Sequence, residues 1–240
     1  MQHLKDFPAN IYHEFRDGKD GKKQELVLFL HGFPGRTTKN EDISLKLNAM
    51  GYSTCLFHYQ GLGKSAGVFS FKNCIELSES ILKSLSQRFS KVHLLGHSWG
   101  GFVAAVIYWQ IHNPGNLFLL NPLTYILPDS QVLELVKSAI NKHELPEDYL
   151  NNKNMVTQLN NELNCLRQNF DFKNQLANFV KSDLKQYIKI YLATVDPLTP
   201  PELCIKICKD VGIDYQQFSS DHWFTQNREQ VLTAIYKDLG

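Results

Sequence analysis

The sequence predicts an α/β fold, a mostly parallel sheet flanked by helices with a helical cap insertion, and three observations carry that prediction. Short apolar runs alternate with amphipathic stretches of helical period. Several of these runs end in glycine-rich turns, which is where parallel sheets place their reactive residues. From 121 to 185 the alternation stops, and the composition moves toward asparagine, leucine and charged residues without any strand-like run.

In chain order, Ile11 to Arg16 and Glu25 to Leu30 read as strands joined across Asp17-Gly18-Lys19-Asp20-Gly21, a hairpin signal. Glu41 to Met50 reads as a helix because Ile43, Leu47 and Met50 fall on one face, with Gly51 suited to end it. Ser53 to Phe57 is strand-like. The stripe Cys74, Ile75, Leu77, Ile81, Leu82, Leu85 and Phe89 then defines an amphipathic helix leading to the apolar run Val92 to Leu95. A helix-like segment starts near Phe102, and Asn116 to Leu120 is a further strand. In the insertion, Val132, Leu133, Leu135, Val136, Ala139 and Ile140 mark one helix, and Met155, Leu159, Leu163 and Leu166 mark another. Strands are expected at Tyr187 to Leu192 and Ile213 to Phe218. At 240 residues and 43% hydrophobic content the chain fits one domain, 1–240, with the insertion 121–185 inside it.

Between the strand ending at Leu95 and the helix after it lies Gly96-His97-Ser98-Trp99-Gly100, a G-x-S-x-G in a strand-turn-helix context. A serine in so sharp a turn adopts a strained backbone and needs small neighbours, which Gly96, Gly100 and Gly101 supply. Ser98 is the candidate nucleophile. Such a hydroxyl needs a histidine to take its proton and a carboxylate to orient that histidine, in the chain order serine, acid, histidine. Asp196 follows a predicted strand on the Pro-rich loop Thr194 to Pro200. His222 follows the last predicted strand and is the only histidine after His143. Asp221 is a rival acid, but as the chain neighbour of His222 it points away, so Asp196 is preferred. For the oxyanion, one backbone N-H comes from Trp99 and a second from Phe33, in the tight turn His31-Gly32-Phe33-Pro34-Gly35; Pro34 has no N-H to give. His31 stands in the wrong chain order for a base and is assigned to hydrogen bonding beneath this loop.

These motifs resemble the α/β-hydrolase superfamily, most nearly its small serine esterase, thioesterase and aminopeptidase-like members with a helical cap. The resemblance covers nearly the whole chain. It rests on the His31 to Gly35 turn, Gly61-Leu62-Gly63-Lys64-Ser65, Gly96 to Gly101, and the ordered pair Asp196 and His222. Members often carry D-x-R-G-x-G-x-S where this chain has His58-Tyr59-Gln60-Gly61-Leu62-Gly63-Lys64-Ser65, so the turn glycines remain and the charged pair is gone. Prolyl aminopeptidases usually have H-G-G-P-G, from which Phe33 departs. Gly63-Lys64-Ser65 is not a phosphate-binding loop, since His58 stands where its first glycine is required.

Composition narrows the partners. Lys and Arg number 25 against 24 Asp and Glu, a formal charge of +1, and no basic run supports nucleic-acid or anionic-membrane binding. No run approaches the ~20 apolar residues of a membrane span, and Met1 to Asp6 lacks a signal-peptide core, so the cytoplasm is the expected compartment. Five scattered cysteines read as reduced thiols, with Cys204 and Cys208 on one helical face as core rather than metal ligands. No metal or organic cofactor is expected. A leucine-bearing cap over Phe33, Leu123, Trp99, Leu198 and Trp223 predicts an apolar acyl pocket, although Trp99 and Trp223 fit the core equally well. The expected activity is hydrolysis of a carboxylic ester or thioester of a small or medium acyl group through an acyl-enzyme on Ser98. Two alternatives stand beside it: an aminopeptidase or amidase using Glu134, Glu144, Glu147 or Asp148 to hold a substrate amine, and a non-catalytic binding protein.

Overall fold

A computed structural model describes residues 7–18, 24–35, 40–111, 114–125 and 127–239. Seven strands form one sheet in the order β1-β3-β2-β4-β5-β6-β7: His13–Arg16, Glu25–Leu30, Ser53–Phe57, Lys91–His97, Pro114–Leu120, Ile188–Ala193 and Tyr215–Phe218 for β1 to β7. All neighbours run parallel except β1, which lies antiparallel to β3. Helices α1 (Glu41–Ala49), α2 (Phe71–Arg88), α3 (Trp99–Ile107), α8 (Pro201–Val211) and α9 (Arg228–Leu239) connect or follow the strands. Helices α4 (Asp129–Asn141), α5 (Asp148–Asn151), α6 (Lys153–Asn169) and α7 (Phe172–Lys181) occupy the stretch between β5 and β6.

The central strands are apolar on both faces because both faces are covered, as a parallel sheet requires. Leu26, Leu28 and Leu30 of β2 pack into one cluster with α2, α3 and the inserted helices. Val27 and Phe29 point the other way, into a second cluster with Ile43, Leu47, Val231 and Ile235.

One expectation is corrected: β1 and β2 do not form a hairpin, since β3 lies between them with His13 opposite Phe57 and Leu26 beside Ser53. Glu25–Leu30 is buried along almost its full length and needs partners on both edges, which the short β1 with its charged Glu14 and Arg16 is unsuited to provide. The connecting residues 17–24 reach ~25 Å when extended, ample to step over one strand, whose two spacings total ~10 Å. Residues 19–21 of the expected turn, like Met1 to Asp6, lie outside the described residues. At the far edge, β6 begins at Ile188, because 185–187 form a 3-10 turn, and β7 begins at Tyr215.

The inserted helices are fastened to the sheet domain by polar contacts. The Glu162 carboxylate on α6 accepts hydrogen bonds from Ser70 Oγ and the Phe71 N-H, both at 2.8 Å, at the N-terminus of α2. An acid there meets unpaired N-H groups and the positive end of the helix dipole. The Tyr149 hydroxyl lies 2.5 Å from the Phe69 N-H, and the Glu144 carbonyl accepts the Gly63 N-H at 3.1 Å.

Candidate active site

Ser98 is the residue between β4 and α3, at φ 55° and ψ −119°, a conformation an L-residue holds only when its surroundings force it. The forcing groups are visible. Ser98 N-H donates to the Leu120 carbonyl at 2.9 Å, and its own carbonyl accepts from Gly101 and Leu123 at 2.9 and 3.0 Å. The glycines permit the approach: a Cβ on Gly100 would sit 2.0 Å from the Leu30 carbonyl oxygen, and one on Gly96 2.3 Å from that of Gly100. Both obstacles are backbone and have no room to yield. Gly100→Ala is therefore expected to cost roughly 3 kcal/mol of stability, near the upper end of overpacking penalties, read as a lowered midpoint of denaturant unfolding.

The structure brings Asp196 and His222 together. The His222 Nδ1-H donates to Asp196 Oδ2 at 2.6 Å, with both residues buried. The same oxygen accepts the Thr199 hydroxyl at 2.6 Å, while Oδ1 accepts the backbone N-H groups of Leu198 and Thr199, both at 2.9 Å. Burial alone raises the carboxyl pKa, but the bonds and charge from His222 and the bonds from Thr199 outweigh it and hold Asp196 below the ordinary value of 3.8. Asp196 is accordingly a carboxylate at neutral pH. Asp221 turns away from the ring, accepting the backbone N-H groups of Trp223 and Thr225 at 3.2 and 2.9 Å.

His97, for which the sequence predicts no role, stands between the two parts of the site. Its Nε2-H donates to the His222 carbonyl at 2.8 Å and its ring lies 4.6 Å from the His222 ring. Desolvation and the neighbouring His222 push its pKa down to about 3, so it is a neutral donor. Asn121, likewise without a predicted role, donates Nδ2-H to the same carbonyl at 2.9 Å. Neither residue type carries a sequence signal at these places beyond its adjacency to a strand end. His31 holds its own loop: Nδ1-H donates to the Gly32 carbonyl at 2.7 Å, and Nε2 faces the Tyr59 N-H at 3.4 Å.

A cavity of about 980 Å³ opens over Ser98 and His222, within the range of small-molecule sites. Phe33, Phe71, Trp99, Leu123 and Leu163 line its apolar part. Leu127, Ser130, Gln131, Glu134, Leu135, Ser138 and Lys142 line it from α4 and the residues that flank it. Phe33 and Trp99 belong to the core and to the cavity wall at once, 7% and 2% exposed, whereas Leu198 and Trp223 are partly exposed and also line it. The Gly32 turn abuts the serine, since a Cβ at Gly32 would lie 3.2 Å from Ser98 Cβ. Trp99 opens α3, where a backbone N-H has no intrahelical acceptor. Of the four acids considered for amine binding, only Glu134 lines the cavity, and Lys137 binds it at 2.7 Å. Among the described residues no group of three or more His, Cys, Asp or Glu side chains is placed to hold a metal ion, and no helix is long and apolar enough to cross a membrane.

A serine at a strand-to-helix turn of a mostly parallel seven-stranded sheet, with helices inserted after β5, defines an α/β hydrolase. The chain matches the model of the Hydrolase_4 family, described as serine aminopeptidase, S33, over residues 21–178, and belongs to that family. No curated protein sequence matches it significantly. Among solved structures it is similar to an esterase from Exiguobacterium antarcticum, with TM-score 0.68, 18% identity and 95% of each chain covered. It is also similar to ferulic-acid-bound Est1E from Butyrivibrio proteoclasticus, at 0.68 and 16%, covering 95% of this chain and 93% of that one. A monoacylglycerol lipase from Paleococcus ferrophilus gives 0.64 and 16%, with 95% and 98% covered. At these identities the likeness is one of fold.

Proposed function

We propose that the protein is a serine hydrolase of carboxylic esters or thioesters, with Ser98 as nucleophile, His222 as base and Asp196 as the group that orients it. The observation that carries this reading is the buried 2.6 Å bond from His222 Nδ1 to Asp196 Oδ2, facing the same cavity as a strained Ser98. With its proton fixed on Nδ1, the imidazole presents a bare Nε2 to accept a proton from Ser98. The serine oxygen attacks the substrate carbonyl, and the N-H groups of Phe33 and Trp99 stabilise the negative charge that develops. His222 then protonates the leaving group, and water cleaves the acyl-enzyme with His222 again as base. No step draws on a metal or an organic cofactor.

The helices at 121–185 act as a cap that completes the acyl pocket. Supporting this is the cavity wall they contribute, Leu127, Leu135 and Leu163, opposite Phe33 and Trp99. Rates with a chain-length series of nitrophenyl esters are expected to rise from acetate to medium acyl chains as each buried methylene adds binding, about 0.8 kcal/mol at most; equal rates along the series would refute the pocket. The esterase and lipase neighbours make esters the first class to test. An amine-directed peptidase rests on the family description and on Glu134, whose side chain is 70% exposed and already paired with Lys137. Aminoacyl nitroanilides in the same screen separate the two.

The direct test is fluorophosphonate labelling with peptide mapping, beside Ser98→Ala. Labelling confined to Ser98 is expected. A folded, unlabelled wild type would favour a non-catalytic role.

A further inference from the structure

Resting on the assignment of His222 as the base, we propose that His97 and Asn121 are positioning residues that together clamp the main chain of His222 and so fix its imidazole relative to Ser98. Two donors from the centre of the sheet converge on one carbonyl oxygen: His97 Nε2 at 2.8 Å and Asn121 Nδ2 at 2.9 Å, both on the His222 oxygen. His97 ends β4 and is the residue before Ser98, so the clamp joins the base to the strand that carries the nucleophile. Asn121 follows β5 directly and ties in the next strand as well, its Oδ1 accepting the Ala193 N-H at 2.7 Å and its own N-H reaching the Tyr191 carbonyl at 2.9 Å.

The position of His222 explains why a clamp is needed. It stands on the loop between β7 and α9, and β7 is a four-residue strand at the sheet edge, paired among the described residues only with β6. A loop hung on such an edge opens more readily than the central strands. A displacement of ~1 Å between base and nucleophile is enough to slow proton transfer by up to ~100-fold. Asn121 holds φ at 41°, a left-handed value tolerated by asparagine and retained here with both ends of its side chain bonded.

Donor function and mere packing predict opposite orders for two variants. His97→Phe keeps a ring of similar bulk and loses the donor; His97→Gln loses the ring and places an amide N-H at comparable reach. Asn121→Gly accepts the positive φ and removes both side-chain bonds. The measurement is the bimolecular rate of fluorophosphonate labelling at Ser98, mapped by peptide, with the thermal midpoint recorded for each variant. His97→Phe and Asn121→Gly are expected to label roughly ten- to a hundredfold more slowly than wild type, with KM for a nitrophenyl ester little changed, and His97→Gln to stay close to wild type. A folded His97→Phe that labels at the wild-type rate, or His97→Gln slower than His97→Phe, overturns the clamp. Should His97→Phe fail to fold, Asn121→Gly carries the test alone, and wild-type labelling in that variant overturns the proposal. A wild type that does not label at Ser98 removes the functional reading itself, which no variant comparison is needed to detect.

Discussion

Ser98→Ala is expected to lower kcat for ester hydrolysis by roughly 10⁶-fold, leaving only what the cavity and its N-H donors achieve by binding. The fold should survive, because Ser98 holds its place through backbone hydrogen bonds to Leu120, Gly101 and Leu123 that alanine keeps. Alanine does not relieve the conformation at φ 55°, ψ −119°, so its stability should match wild type closely. Glycine does relieve it: Ser98→Gly is expected to be inactive yet more stable than Ser98→Ala by about 1 kcal/mol, the scale of strain held by a single disfavoured residue. Steady-state kinetics and denaturant unfolding of the three proteins check both statements. A glycine variant no more stable than the alanine one would mean that the turn stores no strain.

Much of this arrangement is legible in the sequence, for physical reasons that differ between elements. Glu25 to Leu30 and Ser53 to Phe57 are read to the residue: the first is an almost unbroken apolar run, as a doubly covered parallel strand requires, and the second is a short run bounded by Gly51 and the polar residues after Phe57. Ser98 is legible because its backbone leaves glycine as the only option at Gly96 and Gly100. Asp196 and His222 follow from chain order and strand ends. Strand pairing is less legible: a turn signal after β1 says that the chain reverses and not which strand it then meets, and β3 fills the gap. His97 and Asn121 are invisible for a related reason. Their partner is a main-chain carbonyl 125 and 101 residues away, and a carbonyl is present at every position, so no side-chain pattern marks it.

The inserted helices show the same division between pattern and placement. Helical stripes identify α4 and α6, but the residues that fasten the layer are polar: Glu162, on the striped face of α6, bonds the α2 N-terminus, and Tyr149 of the short α5 meets Phe69. The fastening bears on the pocket directly, since Glu162 holds the N-H of Phe71, a residue of the cavity wall. Likewise Glu134, reasonable from sequence as an amine partner, does line the cavity but with its charge already met by Lys137.

Asp196→Asn is expected to lower kcat by roughly 10⁴-fold with the protein still folded, and the hydrogen bonds around the carboxylate say why. Oδ1 accepts two backbone N-H groups, from Leu198 and Thr199, so the oxygen of an asparagine must occupy that position. Its NH₂ is then turned toward Thr199 Oγ1 and His222 Nδ1, where Oδ2 had accepted from both. Facing a donor, Nδ1 becomes the acceptor and the ring proton moves to Nε2, which leaves the imidazole unable to take the serine proton. The variant also changes the response to acid. Because the folded-state pKa of Asp196 is lowered, its ionisation contributes stability that is fully present above the unfolded value near 3.8 and lost as pH falls through the folded one. Asp196→Asn lacks that contribution, so its unfolding midpoint should fall less than that of wild type as pH is lowered below about 4. Equal acid sensitivity, or activity within tenfold of wild type, would place the orienting carboxylate elsewhere.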